Sequence, residues 1–358
     1  MSFRITVEPL GQSFDCAEGQ TLLDAALRQG LYLPHACGHG LCATCKVQVL
    51  DGEVEPGPAS PFALMDVERE EGKCLACCAT PTSDLTIEAD VEEDPDARSI
   101  PLRDFQARVV ELVDLTPTLK GIRLSIDANG EPAGIDFQAG QYINLEVDAV
   151  DGTPRAFSLA SPPSSPGVVE LNVRRVPGGR ATPWLHDRLQ IGDRLNFTGP
   201  FGRFLVRKSD PRPLLFLAGG SGLSSPRSMI LDLLETDGDT RPITLVYGAR
   251  HGAELYYHAE FIALAQRFPN FRYVPVLSEP SAEEVWDGAT GYVHAAAEAL
   301  YQGDFRGHRA YLCGPPPMIE ACIRTLMKGR LFERDIFTER FVTAGDAERG
   351  RSPLFRSL

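Results

Sequence analysis

The 358-residue sequence predicts a multidomain chain of α+β and α/β class: a strand-rich first domain, a small antiparallel β-barrel, and an α/β domain built on a parallel sheet. Three observations lead there. Residues 1–92 alternate in the manner of strands, with little helix between them. Residues 103–208 read as short strands at even spacing with Gly/Pro turns, which suits a small barrel. From residue 209 the rhythm becomes strand then helix, which implies βαβ units and a parallel sheet covered by helices.

In the first domain, "FRITVEP" and "QSFDCAE" read as a hairpin joined by Gly11. "TLLDAALRQG" reads as a helix, with Thr21 as N-cap, Asp24 three residues on and Gly30 at the stop. "KVQVLDGEVE" and "LTIEADV" read as further strands, and "SPFALMDVERE" as a helix with Ser60 as cap and Pro61 in its first turn. A charged, proline-punctuated linker follows over 93–102. The barrel strands are "ARVVELVDL", "IRLSID", "QYINLEVDA", "AFSLAS", "VVELNVRRV" and "RLNFTG". The α/β domain, 209–341, pairs "LLFLAG" with "SPRSMILDLLET", "ITLVYGA" with "ELYYHAEFIALAQRF", and "AYLCG" with "PPPMIEACIRTLMKG". Residues 342–358 have no clear period and read as a surface tail.

The apolar content, 43%, is ordinary for a globular protein, and no run reaches the roughly 18 to 20 apolar residues of a membrane span. "MSFRITVEPL" lacks the basic and apolar regions of an export signal, so the expected location is the cytoplasm. Nine cysteines in that setting argue against a disulfide framework and for metal binding or free thiols. The net charge is −14, and residues 1–92 hold 15 Asp or Glu against 5 Lys or Arg. This disfavours nucleic acid as a partner. The acidic excess is either a solubilising surface or a docking face that steers a basic protein partner.

"HACGHGLCATCKV" places Cys37, Cys42 and Cys45 at C-x4-C-x2-C, and Cys74, Cys77 and Cys78 follow in "KCLACCAT". That spacing with one distant fourth cysteine is the ligand pattern of a plant-type [2Fe–2S] centre. Two irons need four anionic ligands, and Gly38 and Gly40 let the backbone curl so that N–H groups can face the sulfurs. A zinc site is the rival reading, but its ligands usually come as two C-x2-C-like pairs, and only Cys42 and Cys45 form one. His35 and His39 read as loop histidines. The stretch resembles plant-type ferredoxins, with the β-grasp fold that implies, and there the fourth ligand follows a motif like "LAC"; by that match it is Cys77.

"RAFSLAS" and "NVRRVPGGRATPWL" are each weak alone: an arginine at a strand edge, and glycines before a helix start that suit phosphate. "LFLAGGSGLSSPRSMI" gives G-x-G-x-x-S across Gly220, Gly222 and Ser225 after a strand, and "YLCGPPPMIEA" follows about 90 residues on. Together these resemble the ferredoxin–NADP reductase superfamily, with an FAD barrel followed by a nicotinamide domain. The resemblance implies flavin contacts from Arg155, Ala156, Phe157 and Ser158, and from Val173, Arg174, Arg175, Gly179, Arg180, Ala181 and Thr182. It implies nicotinamide contacts from Gly219, Gly220, Ser221, Gly222, Leu223, Arg250, Cys313, Gly314 and Pro315. Phe157 and Thr182 stand where that family usually has Tyr and Ser. Ser158, Cys313, Glu339 and Phe341 are the implied catalytic set, although the chain runs on past Phe341 where plant reductases end.

The order ferredoxin, FAD barrel, NAD domain resembles the reductase components of bacterial multicomponent oxygenases. "FALMDVER", "LACCA", "GGSGLSSPRSMILDLLE" and "RLFERDIFTERF" are most similar to those that serve phenol hydroxylases. The resemblance implies electron transfer from NADH through FAD and the [2Fe–2S] cluster to a di-iron hydroxylase docked on the acidic first domain. "YGARHGAELYY" offers Arg250 but no basic cluster for a 2′-phosphate, which favours NADH. The alternatives are the reductase of a benzoate-type ring dioxygenase, and a redox-sensing module.

Overall fold

The structure is a computed structural model and describes residues 1–91, 94–128, 131–132, 134–147, 150, 152–281 and 285–341. The tail expected over 342–358 lies outside the described residues, as does part of the linker. The chain forms two compact units, one spanning Met1–Arg103 and the other beginning at Asp104.

In the first unit five strands lie in the order Gln12–Ala17, Ser2–Glu8, Leu85–Glu88, Lys46–Asp51, Lys73–Leu75. The first hairpin is antiparallel, and Ser2–Glu8 runs parallel to Leu85–Glu88, which makes this a β-grasp sheet. Helix Leu22–Arg28 buries Leu22, Leu23, Ala25, Ala26 and Leu27. Thr21 caps it as expected, its hydroxyl accepting from the Asp24 N–H at 3.3 Å. Leu22 and Leu23 donate their N–H groups to Ala79 and Ala76 (3.0 and 2.8 Å), so the helix start anchors the turn that carries Cys77.

The second expected helix begins late. Residues 61–63 form a turn, and the helix itself is only Asp66–Glu70. The Ser60 N–H bonds the Gly40 carbonyl at 2.9 Å, so this segment is tied to the cysteine loop instead of opening a helix. Glu68 then accepts from the Met65 N–H at 3.0 Å and supplies the missing cap. The end of the linker also belongs to the first unit, where Leu102 donates to the Leu27 carbonyl at 3.0 Å and Ser99 to that of Gly30.

The second unit opens with an antiparallel barrel. Its strands follow the order Leu119–Ala128, Arg103–Thr116, Arg194–Phe201, Tyr142–Leu145, Arg155–Ser158. Val168–Arg174 pairs back onto Leu119–Ala128, and a bridge between Leu159 and Leu171 closes the ring. Ile122, Leu124, Ile143, Leu145, Val169, Leu171 and Phe197 fill the interior.

The α/β half is a six-stranded parallel sheet in the order Ala289–Thr290, Phe271–Leu277, Ile243–Ala249, Leu214–Gly219, Arg309–Gly314, Ile336–Arg340. Leu214–Gly219 is buried at every position, as a central parallel strand with helices on both faces should be. Barrel and sheet are joined by a buried ionic network. Arg227 donates to the Ala160 carbonyl (2.8 Å), to Glu170 (3.3 Å) and, as a fork, to Glu260 (2.7 and 2.9 Å). Its guanidinium lies 4.0 Å from the centre of the Tyr257 ring. Tyr257, held in the left-handed region at φ 57°, reaches Glu170 and Asn172 on the barrel.

Candidate functional site

The cysteine loop departs from regular structure because three of its residues are left-handed: Gly38, Gly40 and Ala43, at φ 69°, 74° and 62°. The glycines take that conformation freely; Ala43 does so at a steric cost. The curl turns backbone donors onto sulfur. His39 and Leu41 N–H groups reach Cys37 Sγ at 3.4 and 3.3 Å, and the Cys37 N–H reaches Cys42 Sγ at 3.4 Å. The Ala76 N–H bonds the Cys45 carbonyl at 2.9 Å and brings the Cys77 turn alongside.

The four thiols meet as two pairs, Cys37 with Cys42 and Cys45 with Cys77. Within each pair one sulfur accepts a hydrogen bond from the other thiol, which lowers Cys42 and Cys77 below the ordinary thiol range and raises their partners. Four thiols gathered as two pairs could hold a binuclear cluster. Among the described residues no three His, Cys, Asp or Glu side chains are placed to hold a single metal ion. Cys74 is buried in the sheet, opposite Val47, and takes no part in either pair.

In the second unit the glycine-rich turn leaves the central strand. A Cβ at Gly222 would lie 2.4 Å from the Cys313 carbonyl oxygen, and one at Gly219 2.5 Å from Met318 sulfur. These glycines let the turn, with Ser221 and Leu223, lie directly against the strand end that carries Cys313, Gly314 and Pro315. Arg174, at the end of its barrel strand, reaches the same turn; its Nη1 lies 3.2 Å from the Cβ position of Gly220.

Ser158, Cys313 and Glu339 come together. Their meeting point is one atom, Glu339 Oε2, which accepts from Ser158 Oγ and Cys313 Sγ, each at 3.3 Å. Ser225 Oγ donates to the same oxygen at 2.5 Å, a contact the sequence signals only as the last position of G-x-G-x-x-S. Burial raises the Glu339 carboxyl above its ordinary range, against the pull of these three donors. Burial likewise holds the Cys313 thiol well above its ordinary value, so it stays protonated. The Phe341 N–H bonds the Gly314 carbonyl at 3.1 Å, which places that ring at the end of the Cys313 strand.

The remaining flavin-side residues line one end of the barrel. Ala156 and Phe157 pair with Asn144 and Ile143, and Phe157 packs on the barrel interior. Arg155 donates to the Thr153 carbonyl at 2.6 Å. Thr182 Oγ1 accepts from the Val176 N–H at 2.9 Å and shapes the Gly178–Gly179 turn beside Arg180 and Ala181. Val173 is buried in the barrel, and Arg175 points away to a bidentate pair with Asp187 at 2.7 and 2.6 Å. Arg250 is engaged by Glu254, at 3.3 Å through its guanidinium and 3.2 Å through its N–H. Basic side chains, an open glycine turn and a half-buried aromatic at one barrel end fit a flavin dinucleotide, and the turn against Cys313 fits a nicotinamide dinucleotide.

A 2Fe-2S iron-sulfur cluster binding domain matches residues 5–82, an oxidoreductase FAD-binding domain 107–205, and an oxidoreductase NAD-binding domain 216–324. The chain is 58% identical, over the full length of both proteins, to the phenol 2-monooxygenase reductase component of Pseudomonas sp. strain CF600. It is 56% identical, again over the full length of both, to the phenol hydroxylase P5 protein of Acinetobacter pittii. The crystal structure of a cytochrome P450 reductase from Amycolatopsis superposes with a TM-score of 0.84 at 36% identity, covering 95% of this chain and 98% of that one. Among the described residues no helix is long and apolar enough to cross a membrane.

Proposed function

The chain belongs to the family of iron–sulfur flavoprotein reductases that serve phenol hydroxylases and related oxygenases, and from that membership we propose that it feeds a phenol-oxidising di-iron hydroxylase with electrons from NADH. The observation that carries the proposal is the presence, in one chain, of two thiol pairs and a carboxylate oxygen shared by Ser158, Ser225 and Cys313. Nicotinamide and flavin, when bound, would supply hydride chemistry, and the cluster one-electron transfer.

The chain's own part is to hold and orient. We assign the cluster to residues 1–92, with Cys37, Cys42, Cys45 and Cys77 as ligands; the flavin to 103–208; and the nicotinamide to 209–341. Arg155, Arg174 and Arg180 would face phosphates, while Arg175 shapes the turn through Asp187. Cys313 stays a thiol and contributes shape, and Glu339 can hold a proton within reach of Ser158. Glu254 already pairs the charge of Arg250, and no basic cluster stands beside it for a 2′-phosphate, which supports NADH. The acidic first unit is the docking face for the hydroxylase, and a reducing cytoplasm keeps the four thiols available.

The test is reconstitution. NADH should bleach the flavin and raise a reduced [2Fe–2S] EPR signal, and phenol should turn over when a di-iron phenol hydroxylase is added. Turnover with a ring dioxygenase alone would move the partner to the other oxygenase class. No transfer to any one-electron acceptor would leave only a sensing role.

A further inference from the structure

Cys78 is the one cysteine beside the ligand set that none of the roles above uses. Its Sγ lies 3.6 Å from Cys77 Sγ. Between two free thiols either could donate, but a ligand sulfur carries no proton, so with Cys77 committed to the cluster only the Cys78 S–H remains to give. We propose that Cys78 donates to the sulfur of Cys77 and thereby raises the reduction potential of the cluster. This role depends on Cys77 being the fourth ligand. Reduction adds negative charge to the cluster, and donors on its sulfurs stabilise that charge.

The fold holds Cys78 for this purpose from three sides. The Leu75 carbonyl accepts both the Cys78 and the Ala79 N–H at 2.9 Å, which locks the turn. A Cβ at Gly40 would sit 2.8 Å from Cys78 Sγ and 2.8 Å from the Pro58 carbonyl oxygen, and one at Gly57 2.3 Å from the Cys78 carbonyl oxygen. Both glycines are left-handed, so the loop and the Pro58 segment close around the thiol where any side chain would push it out. The Gly40 N–H reaches the same Cys77 sulfur. Cys77 therefore receives a donor from each neighbouring segment, and Cys78, only half-buried, supplies the one that a single substitution can remove.

The experiment uses the full chain with its cofactors. Cys77→Ser first tests the ligand assignment, by iron and labile-sulfide content; a full complement there would overturn that assignment, and the proposal with it. Cys78→Ala and Cys78→Ser are then compared by EPR-monitored redox titration. Loss of the donor in Cys78→Ala should shift the one-electron equilibrium toward the oxidised cluster by about threefold to tenfold, tenfold being about 59 mV. Cys78→Ser keeps an O–H donor and should stay within about twofold of wild type. Equal potentials in all three proteins, or an equal fall in both variants, would overturn the proposal. If Cys78→Ala assembles no cluster, an exchangeable-proton coupling in the ENDOR spectrum of reduced wild-type protein must change in Cys78→Ser; identical spectra overturn it too.

Discussion

Ser158 on the barrel and Glu339 on the last strand of the parallel sheet share a 3.3 Å hydrogen bond that ends on the same carboxylate oxygen reached by Ser225 and Cys313. The two halves of the second unit thus converge on one atom. Removing either end should disturb orientation more than affinity. Ser158→Ala and Glu339→Gln should each slow flavin reduction by NADH about 10- to 100-fold in stopped flow, with the NADH dissociation constant changed less than about threefold. A loss seen mainly in affinity would assign the pair to nucleotide binding.

The same carboxyl predicts a pH dependence of stability. Burial raises Glu339 above its ordinary 4.5, so the folded protein holds this proton more tightly than the unfolded chain does. Its contribution is complete below that value and is lost as pH climbs through the raised one. Glu339→Gln should therefore melt higher than wild type at neutral and alkaline pH, with the gap closing toward pH 4.5. A gap that stays constant across this range would show that the carboxyl's burial is not the cause.

A Cβ at Gly222 would lie 2.4 Å from the Cys313 carbonyl oxygen, which leaves no room for a methyl group. Gly222→Ala should abolish or cut NADH-driven flavin reduction by at least about tenfold through that clash. Reduction of the cluster by dithionite should be unaffected, because that centre lies in the other unit.

Cys74 faces the sheet interior, whereas Cys77 joins Cys45. Cys77→Ser should lose iron and labile sulfide. Cys74→Ser should keep both and lose about 1–3 kcal/mol of stability, because a hydroxyl replaces a buried thiol without an assured partner. Cluster loss in the Cys74 variant instead would reverse the assignment.

The docking face proposed for the first unit implies sensitivity to salt. Raising ionic strength from about 0.01 M to 0.15 M shortens the Debye length from about 30 Å to about 8 Å. Hydroxylase reduction should slow over that range while NADH-to-flavin transfer holds steady. Equal responses of the two steps would remove charge steering from the account.

What could be read from the sequence was mostly local. Cys37, Cys42 and Cys45 lie within nine positions, and Thr21 with Asp24 states its helix cap within one turn. The Glu339 contact to Ser225 spans 114 residues, so nothing near either residue announces it. The Ser60 expectation failed because Ser60, which accepts from the Phe62 N–H at 3.3 Å, starts only a turn over 61–63, and a cap signal does not say whether a helix continues. Ala43 was invisible for the opposite reason: its left-handed backbone is imposed by the loop against its own preference. The network of Arg227, Tyr257 and Glu170 depends on strands and helices far apart in the chain.

That network bears on how such proteins can be recombined. A gene fusion that replaced the barrel alone would have to bring an acid at position 170 and an amide at 172, or leave Arg227 with one carboxylate fewer in a dry seam. Removing one partner of a buried pair costs about 3–5 kcal/mol. Barrel and parallel sheet should therefore travel as one cassette, and exchange between lineages should break the chain before Asp104 far more readily than near residue 208.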